Sequence, residues 1–478
     1  MACLAALAVL MTSANPAAPA PYGPVPNAAQ LAWHELEYYG FIHFGNNTFT
    51  GKEWGDGSEP PTTFYPTDYD PDQIVRAFKD AGMTGIILTA KHHDGYCLWP
   101  TKTTAHSVKA SNWKNGRGDV VRDISEACRR HGLKFGIYLS PWDRNAASYG
   151  KPEYVQMYRD QLRELTQNYG PIFTIWHDGA NGGDGYYGGA RENRMIDRTT
   201  YYDWPTTWEL ARTWAPRAAI FSDVGPDVRW VGNERGVAND PCWATYDPRG
   251  PEPGQKPAPG FTAYEEAMSG HRGRGTWMPA EADVSIRPGW FWRASEDGRV
   301  KTGEQLFSLY MQSVGRGASF LLNVPPDSRG QIHDADIKSL QEFRRLREQA
   351  FGRDLAPQAK VTSSGDWSAD YAAARVSDGQ KSSFWAAPDG AANAWLEFRW
   401  SAPQNLRYVR LREAIRWGQR VDTFAIEVPE GNGWREVKRA QAIGPHRILD
   451  LGNLKTDRVR IRFVKADACP MITEVAWF

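Results

Sequence analysis

One carboxylate in this chain stands where a buried strand must end. The run PIFTIWHDG, Pro171 to Gly179, places six mostly apolar residues before Asp178 and a glycine directly after it. A short run rich in β-branched and aromatic residues predicts a strand that is buried on both faces. In a parallel α/β barrel, catalytic residues project from this end of the strands. Asp is also favoured at helix N-caps, so capping is the alternative role for Asp178.

Polar side chains follow several other apolar runs in the same way. They are His43, then Glu53 and Trp54 in the next loop, His92, His93 and Asp94, Tyr138, Trp176, Glu234, Glu281 with Asp283, and Asn323. The carboxyl ends of parallel strands meet at one rim of a barrel, so these residues converge if the strands close. One histidine on an apolar face is usually a core residue. Three of them at two strand ends, beside several carboxylates, predict a shared site.

Two chemistries fit this collection. His and Asp side chains could hold a divalent cation that activates water. His92 and His93 are adjacent and point to opposite faces of an extended strand, so at most one of them could be a ligand in that geometry. Alternatively, two carboxyl groups could hydrolyse a glycosidic bond while aromatic and histidine side chains hold the sugar. The 21 tryptophans and the lack of metal-ligand spacing favour glycoside hydrolysis.

The elements that position these residues alternate between strand and helix from Glu35 to about Phe351. In the segment Asp70 to Ala81, for example, Asp70 caps a helix that has a proline in its first turn and one apolar face. Alternation over roughly 300 residues predicts a TIM-like (β/α)8 barrel, which we place at residues 29–353. An open doubly wound sheet is the alternative, although no GxGxxG motif follows a strand.

A different pattern begins after Pro357. Segments such as AWLEFRW, RYVRLREA, TFAIEV and RVRIRFV alternate polar and apolar residues, with turn-forming residues between them. Period-two alternation with such breaks predicts an all-β sandwich. We therefore expect a second domain, a β-sandwich, over residues 357–478.

Composition limits the partners and the compartment. The chain has 56 acidic and 56 basic residues and no formal net charge, which argues against nucleic-acid or anionic-membrane partners. Its first stretch is apolar from Ala2 to Met11 and then rich in small residues and proline, as in a signal peptide. The apolar part is too short to span a bilayer, and no later segment is long and apolar enough. We expect residues 1–20 to be a signal peptide and the protein to be secreted or periplasmic.

The cysteines suggest no metal site. They are Cys3, Cys97, Cys128, Cys242 and Cys469. Cys3 lies in the predicted signal peptide, and the others are widely spaced and form no CxxC pair, so a structural zinc site is not expected. Most of them are predicted to be buried free thiols, with a disulfide as the alternative in an exported protein.

Several of these motifs resemble the signatures of glycoside hydrolase family 29, the α-L-fucosidases. They are FIHFG, EWG, GIILTAKHHDGYCLW, WHDG and LLNVPPD, in order between His34 and Phe351. HHDG after an apolar strand is the most specific of them. RWVGNE and EADVSIRPGWFW resemble the branch that acts on α-1,3- or α-1,4-linked fucose. The resemblance implies a secreted, exo-acting enzyme without a cofactor that releases terminal fucose from oligosaccharides or glycoproteins.

The resemblance also implies a role for each site residue. Asp178 in WHDG would be the nucleophile that forms a glycosyl-enzyme, and Glu234 in GNE would be the acid and base, with Glu281 as its alternative. A retaining mechanism requires the two carboxyl groups about 5–5.5 Å apart. No residue is assigned to a metal. The residues that would bind the sugar are His43, Glu53, Trp54, His92, His93, Tyr138, Trp176 and Trp290.

The C-terminal segments ARVSDGQKSSFWAAPD and AWLEFRW resemble the discoidin-like, F5/8 type C β-sandwich. Such modules bind sugars or cover one side of a catalytic domain, and a structural calcium ion is compatible with the fold. The sequence assigns ligands to neither role. Two other functions stay open: a non-catalytic glycan-binding protein on a barrel scaffold, and a metal-dependent hydrolase. Intact Asp178 and Glu234 argue against the first, and the missing metal spacing argues against the second.

Overall fold

The computed structural model of the protein describes residues 17–180, 184–187 and 189–478. Most of the predicted signal peptide and Cys3 lie outside these residues. The helices are α1 (Ala28–His34), α2 (Asn46–Thr50), α3 (Pro71–Asp80), α4 (Val120–His131), α5 (Pro152–Asn168), α6 (Trp204–Trp214), α7 (Tyr264–Ala267), α8 (Gly303–Gln312) and α9 (Asp334–Phe351). The strands up to the end of α9 are β1 (Tyr38–Ile42), β2 (Gly85–Lys91), β3 (Lys134–Leu139), β4 (Ile172–Trp176), β5 (Asp184–Tyr187), β6 (Glu192–Met195), β7 (Ala219–Ser222), β8 (Val228–Trp230), β9 (Thr245–Tyr246), β10 (Thr276–Trp277), β11 (Ala280–Ser285) and β12 (Ser319–Asn323).

Eight of these strands close into a barrel. Their order around it is β1-β12-β11-β8-β7-β4-β3-β2, and every neighbouring pair is parallel. The remaining four form two antiparallel pairs, β5 with β6 and β9 with β10, in connections between barrel strands. Closure confirms the (β/α)8 prediction and shows that the open doubly wound sheet was wrong.

Local sequence explains how helices and strands meet. The Asp70 carboxylate accepts the N–H of Gln73 at 2.9 Å and caps α3, as the sequence predicts. This helix packs directly on β1, where a Cβ at Gly40 would lie 2.0 Å from the Phe78 ring. Glycine is therefore required at that contact. Every residue of β2 is buried, which is why its sequence is almost continuously apolar.

The C-terminal part is an antiparallel β domain with its own core. Its strands are β13 (Lys360–Ser363), β14 (Trp385–Ala386), β15 (Trp395–Glu413), β16 (Val421–Glu430), β17 (Gly433–Gln441), β18 (Arg447–Ala466) and β19 (Met471–Trp477). They form one antiparallel sheet in the order β14-β19-β15-β18-β16-β17, with β13 paired to β15. Register shifts along β15 and β18 interrupt their long pairing. The all-β prediction for this region is confirmed.

Ion pairs and a terminal segment join the two domains. Arg412 on β15 contacts Glu37 at 2.6 Å, and Arg447 on β18 contacts Asp240 at 2.7 Å. The segment before α1 lies along the C-terminal domain, where the indole of Trp367 donates to the carbonyl of Ala17 at 3.0 Å. The two domains therefore pack against each other through charged and polar contacts, and Tyr408 of the C-terminal domain also packs on Phe307 and Phe351.

The structure shows the state of the cysteines and the character of the helices within the described residues. The four cysteines there, Cys97, Cys128, Cys242 and Cys469, are buried and free. Among the helices of the described ranges, none has the length and apolar character needed to cross a bilayer. The predicted boundary near Pro357 falls between the end of α9 at Phe351 and the start of β13 at Lys360.

Candidate active site

A cavity of about 480 Å³ lies among the ends of the barrel strands. Its walls contain all the predicted site residues except Glu53 and Glu281. These wall residues are His43, Trp54, His92, His93, Tyr138, Trp176, Asp178, Glu234 and Trp290. The convergence inferred from strand ends therefore holds, because the carboxyl ends of parallel strands meet at one rim.

Asp178 lies two residues beyond β4 and faces this cavity, with 21% of its side chain exposed. Its Oδ2 accepts the hydroxyl of Tyr138 at 2.8 Å, and its Oδ1 accepts the N–H of Ala180 at 2.6 Å. Burial raises the pKa of Asp178 to about 7, and the charges of Asp223 and Glu234 add to that shift. The next helix, α6, has Asp203 as its N-cap, so the helix-capping role for Asp178 was wrong.

Three histidines contribute neutral imidazoles to the cavity wall. Burial lowers the pKa of His43 and of His93 to about 3, and it lowers the pKa of His92 well below its ordinary value. The Nδ1 of His93 lies 2.7 Å from Ser140 Oγ, and its Nε2 lies 3.9 Å from Asp178 Oδ2. Neutral imidazoles can donate and accept hydrogen bonds, as recognition of sugar hydroxyls requires.

His92 and His93 both line the cavity, which corrects the expectation that they point to opposite faces. That expectation assumed an extended strand, but β2 ends at Lys91. The two rings lie with their centroids only 4.1 Å apart. Side-chain alternation is a property of the strand and does not continue into the turn that follows it.

A second set of contacts fixes His43 and Trp290. The Asn323 Oδ1 lies 2.9 Å from His43 Nδ1, and its Nδ2 donates to the Trp290 carbonyl at 2.8 Å. The backbone N–H of Trp290 donates to Glu53 Oε1 at 2.6 Å, while Arg293 pairs with the other carboxylate oxygen of Glu53. Glu53 therefore holds the Trp290 backbone and does not line the cavity, where the sequence suggested a sugar contact.

Glu234 occupies the exposed rim beyond β8. The indole N–H of Trp290 lies 3.3 Å from its Oε2. Surrounding protein and the charge of Glu53 raise the pKa of Glu234, while the Trp290 contact opposes that shift. A carboxyl group with a raised pKa at the mouth of the cavity is suited to carrying a proton.

Glu281 is fully buried and does not line the cavity. Its Oε1 accepts the indole N–H of Trp176 at 2.6 Å, and its Oε2 accepts the hydroxyl of Tyr39. Glu281 therefore has no access to a bound substrate, which removes it as an alternative to Glu234.

Asp283, two residues further along β11, does line the cavity and accepts the Trp230 indole N–H at 2.6 Å. Burial and the charge of Glu234 raise the pKa of Asp283 well above its ordinary value.

Sequence reasoning missed one carboxylate of the cavity, Asp223. Its Oδ2 accepts the N–H of Gly260 at 2.8 Å and the hydroxyl of Tyr264 at 2.9 Å. A signal existed, because Asp223 directly follows the apolar residues of β7. Gly260 and Tyr264 also line the cavity, but they come from an irregular loop and the short helix α7, where no strand-end pattern applies.

The described ranges contain no group of three or more His, Cys, Asp or Glu side chains that could hold a metal ion. A closed parallel barrel with carboxyl groups and aromatic rings around one cavity at its carboxyl rim defines a barrel enzyme of the glycoside hydrolase class.

Comparison with known proteins gives the family. The alpha-L-fucosidase family model matches residues 27–346, more than half of the chain. The chain therefore belongs to the alpha-L-fucosidase family, glycoside hydrolase family 29. The F5/8 type C model matches residues 358–475, so the C-terminal domain is of that type.

Individual relatives agree over almost the whole chain. Alpha-L-fucosidase 1 of Arabidopsis thaliana is 41% identical, with 95% of this chain and 87% of that protein covered. A glycoside hydrolase 29 family member from an unknown rumen bacterium is 39% identical, with a TM-score of 0.84 over 96% of this chain and 78% of that one. A family 29 fucosidase of Ruminococcus gnavus, solved with fucose, is 29% identical, with a TM-score of 0.85 over 98% and 97%.

Proposed function

We propose that this enzyme is an exo-acting, retaining α-L-fucosidase in which Asp178 is the nucleophile and Glu234 is the acid and base. The observation that carries the proposal is that both carboxyl groups line one cavity, Asp178 deep in it and Glu234 at its rim. The charge of Glu234 also contributes to the raised pKa of Asp178, as expected for two acids at one site.

The reaction has two displacements at the anomeric carbon. An Asp178 oxygen attacks C1 of fucose while Glu234 gives its proton to the departing glycosidic oxygen, so a C1–O bond to Asp178 replaces the bond to the aglycone. Glu234, now ionised, takes a proton from water. That water attacks C1, and the Asp178 carboxylate leaves. Two inversions return the starting anomeric configuration.

Neighbouring groups support these roles. The Tyr138 hydroxyl donates to Asp178 Oδ2, and the Ala180 N–H donates to Asp178 Oδ1. These two hydrogen bonds fix the orientation of the carboxylate. The neutral histidines can bind the sugar hydroxyls as donors or acceptors. Trp176 and Trp290 offer ring faces for the apolar C5-methyl side of fucose. The site thus combines charge at C1 with uncharged contacts around the ring.

We further propose that the fucose is α-1,3- or α-1,4-linked in a branched glycan. The motifs RWVGNE and EADVSIRPGWFW support this assignment by their resemblance to that branch. The cavity wall that contains Glu234 also contains Trp230, Tyr264 and Gly260. Aromatic faces and polar groups of this kind suit a second sugar next to the leaving oxygen.

Substrate specificity and stereochemistry test the proposal together. An aryl α-L-fucoside and branched Lewis-type oligosaccharides are incubated in parallel, and the first-formed fucose anomer is read by proton NMR. Retention is expected, with kcat/KM much higher for the branched substrates. Release of the β-anomer would overturn the retaining mechanism. Efficient cleavage of α-1,2-linked fucose together with the aryl substrate would overturn the linkage assignment alone.

We also propose that the protein is exported, to the periplasm or outside the cell. The composition of residues 1–20 supports export. Mass spectrometry of the mature N-terminus after expression in an export-competent host tests this. An uncleaved chain retained in the cytoplasm would contradict it.

A further inference from the structure

A carboxylate inside the barrel supports the cavity from below. Glu281 on β11 is fully buried, and its two oxygens accept hydrogen bonds from two other barrel strands. Oε1 takes the indole N–H of Trp176 on β4, and Oε2 takes the hydroxyl of Tyr39 on β1. Strand β11 is not a neighbour of either strand in the sheet, so these bonds cross the barrel interior.

Trp176 makes one of these interior hydrogen bonds and also lines the cavity. Its ring stacks on Phe221 at 4.2 Å and on Tyr138 at 5.2 Å between centroids. Tyr138 in turn donates to Asp178 Oδ2. The chain Glu281, Trp176, Tyr138 and Asp178 therefore runs from the barrel interior to the reacting carboxylate by direct contacts.

We propose that Glu281 is a positioning residue, which holds the Trp176 ring in the orientation that binds the sugar and aligns Tyr138 with Asp178. The inference rests on the proposed function of Asp178 as the nucleophile. Glu281 itself does not touch the substrate, since it lies outside the cavity wall. Its role is therefore distinct from that of an acid or base.

Hydrogen bonding explains why an acid is needed here. Trp176 Nε1 and the Tyr39 hydroxyl are both donors toward the same interior point, and the two oxygens of one carboxyl group accept both hydrogen bonds. Ser319 Oγ lies 3.1 Å from the Tyr39 hydroxyl, so Tyr39 keeps a partner when Glu281 is replaced. The buried indole N–H of Trp176 instead loses its acceptor, and the ring is free to turn toward another one.

The test compares three single variants, and the double variant Glu281→Leu/Trp176→Phe, on an aryl fucoside and on a branched substrate. Glu281→Leu removes both acceptors at similar size, Glu281→Gln keeps one carbonyl acceptor, and Trp176→Phe keeps an aromatic face without the N–H. We expect kcat/KM to fall roughly a hundredfold in Glu281→Leu, because small misplacements of reacting groups have effects of that size. Glu281→Gln should recover most of this loss. The effects of Glu281→Leu and Trp176→Phe should be far from additive, because the two residues share one hydrogen bond.

A control separates positioning from general loss of stability. Glu413 in the C-terminal domain is as deeply buried as Glu281, and burial raises the pKa of each to about 7. Glu413→Gln should lower thermal stability and leave kcat/KM unchanged. Equal kinetic losses in Glu281→Leu and Glu413→Gln, or losses that follow only the folded fraction, would overturn the proposal.

Azide rescue separates this inference from the proposed function. In a variant without the acid and base, azide can attack C1 of the glycosyl-enzyme without losing a proton, forming a C1–N bond as the C1–O bond to Asp178 breaks. We expect azide to restore turnover of an aryl fucoside in Glu234→Ala and to have no effect in Glu281→Leu. Rescue of Glu281→Leu would overturn the positioning role. If Asp178→Ala were active, the proposed function itself would fail.

Discussion

Both domains bury carboxyl groups with raised pKa values, but the surroundings of those groups differ. Burial raises the pKa of Asp178 in the barrel and of Glu413 in the C-terminal domain to about 7. Glu413 accepts three backbone N–H groups of its own domain, from Arg420, Val421 and Gly444. Asp178 accepts two hydrogen bonds and faces the cavity.

The comparison shows that a raised pKa is not sufficient to identify a catalytic group. Desolvation raises the pKa of any buried acid, whether the acid holds a loop or attacks a substrate. Glu413 also lines a cavity, of about 420 Å³, but backbone N–H groups occupy both of its oxygens. The distinguishing feature of Asp178 is that the carboxyl groups Asp223 and Glu234 share its cavity. Perturbed acids point to a site when several of them converge on one space that a ligand can enter.

The largest effect that can break this comparison is the loss of Asp178. We expect Asp178→Ala to reduce kcat/KM for any fucoside by about 10⁴-fold or more, because removing a nucleophile leaves only residual catalysis. Circular dichroism and thermal unfolding should show a folded protein, and calorimetry should still detect fucose binding. Retention of several per cent of activity would exclude Asp178 as the nucleophile.

Loss of Glu234 should have a smaller effect that depends on the leaving group. General acid catalysis contributes roughly 10²–10⁴-fold, so Glu234→Ala should lose that much activity on a natural oligosaccharide. An aryl fucoside with a strongly acidic phenol needs little protonation and should lose much less in its first step. Pre-steady-state kinetics on both substrates measure the difference. Equal losses on the two substrates would contradict an acid role for Glu234.

The third expected effect, on the pH dependence of kcat/KM, is smaller than the losses in these two variants. Asp178 must be ionised to attack, and its pKa is about 7, so kcat/KM should fall about tenfold per pH unit below that value. Asp223→Asn removes a nearby negative charge and should lower the pKa of Asp178, which moves the acid limb to lower pH. Glu234 must keep its proton to act as the acid, and its raised pKa extends the pH range in which it does so.

A second variant, at a residue that contacts Asp223, tests whether the charge of Asp223 causes the change in the pKa of Asp178. Tyr264→Phe deletes one hydrogen bond to Asp223 without changing its charge, and should leave the acid limb near its wild-type position. Profiles of kcat/KM from pH 4 to 9 for both variants and the wild type make the comparison. An acid limb near pH 4 in the wild-type enzyme would show that the Asp178 carboxylate is not destabilised by its surroundings.

The sequence predicted which strand ends carry the site better than it predicted how deep each side chain lies. Strand ends located Asp178 and the three histidines correctly, because parallel strands bring their carboxyl ends to one rim. Glu281 and Asp283 are two positions apart, so period-two alternation puts both on the same side of β11. They differ by about 6.6 Å along the strand, which places one inside the barrel and the other at the cavity.

Irregular segments limited the prediction in another way. Gly260 and Tyr264 reach the cavity from a loop and a short helix whose sequence has no periodic signal, so only the folded chain brings them to Asp223. Glu53 lies in a similar loop, and its contact with Trp290 depends on two distant connections meeting. The fold class was predictable because long alternating patterns determine it, whereas contacts between loops depend on tertiary packing.

The smallest catalytic effect is expected for Glu413→Gln, which should change stability alone. The Glu413 Oε2 accepts the N–H of Gly444 at 2.7 Å, and an amide NH2 in its place would face another donor. Leaving that buried N–H without an acceptor should cost about 1–3 kcal/mol of unfolding free energy. Thermal and denaturant unfolding measure the loss, while kcat/KM should stay within about twofold, within the range of variants distant from a site.

The pH dependence of the stability lost in Glu413→Gln gives a further test. Between pH 4.5 and about 7, Glu413 keeps its proton in the folded state and loses it in the unfolded state. The folded state then binds more protons, so this group's contribution to stability is complete below pH 4.5 and is lost as pH rises through 7. The amide introduced by Glu413→Gln cannot titrate, so the variant should be most destabilised relative to wild type near pH 4.5 and least above pH 7. A difference that grows with pH would mean that the three backbone N–H groups outweigh burial and hold Glu413 ionised.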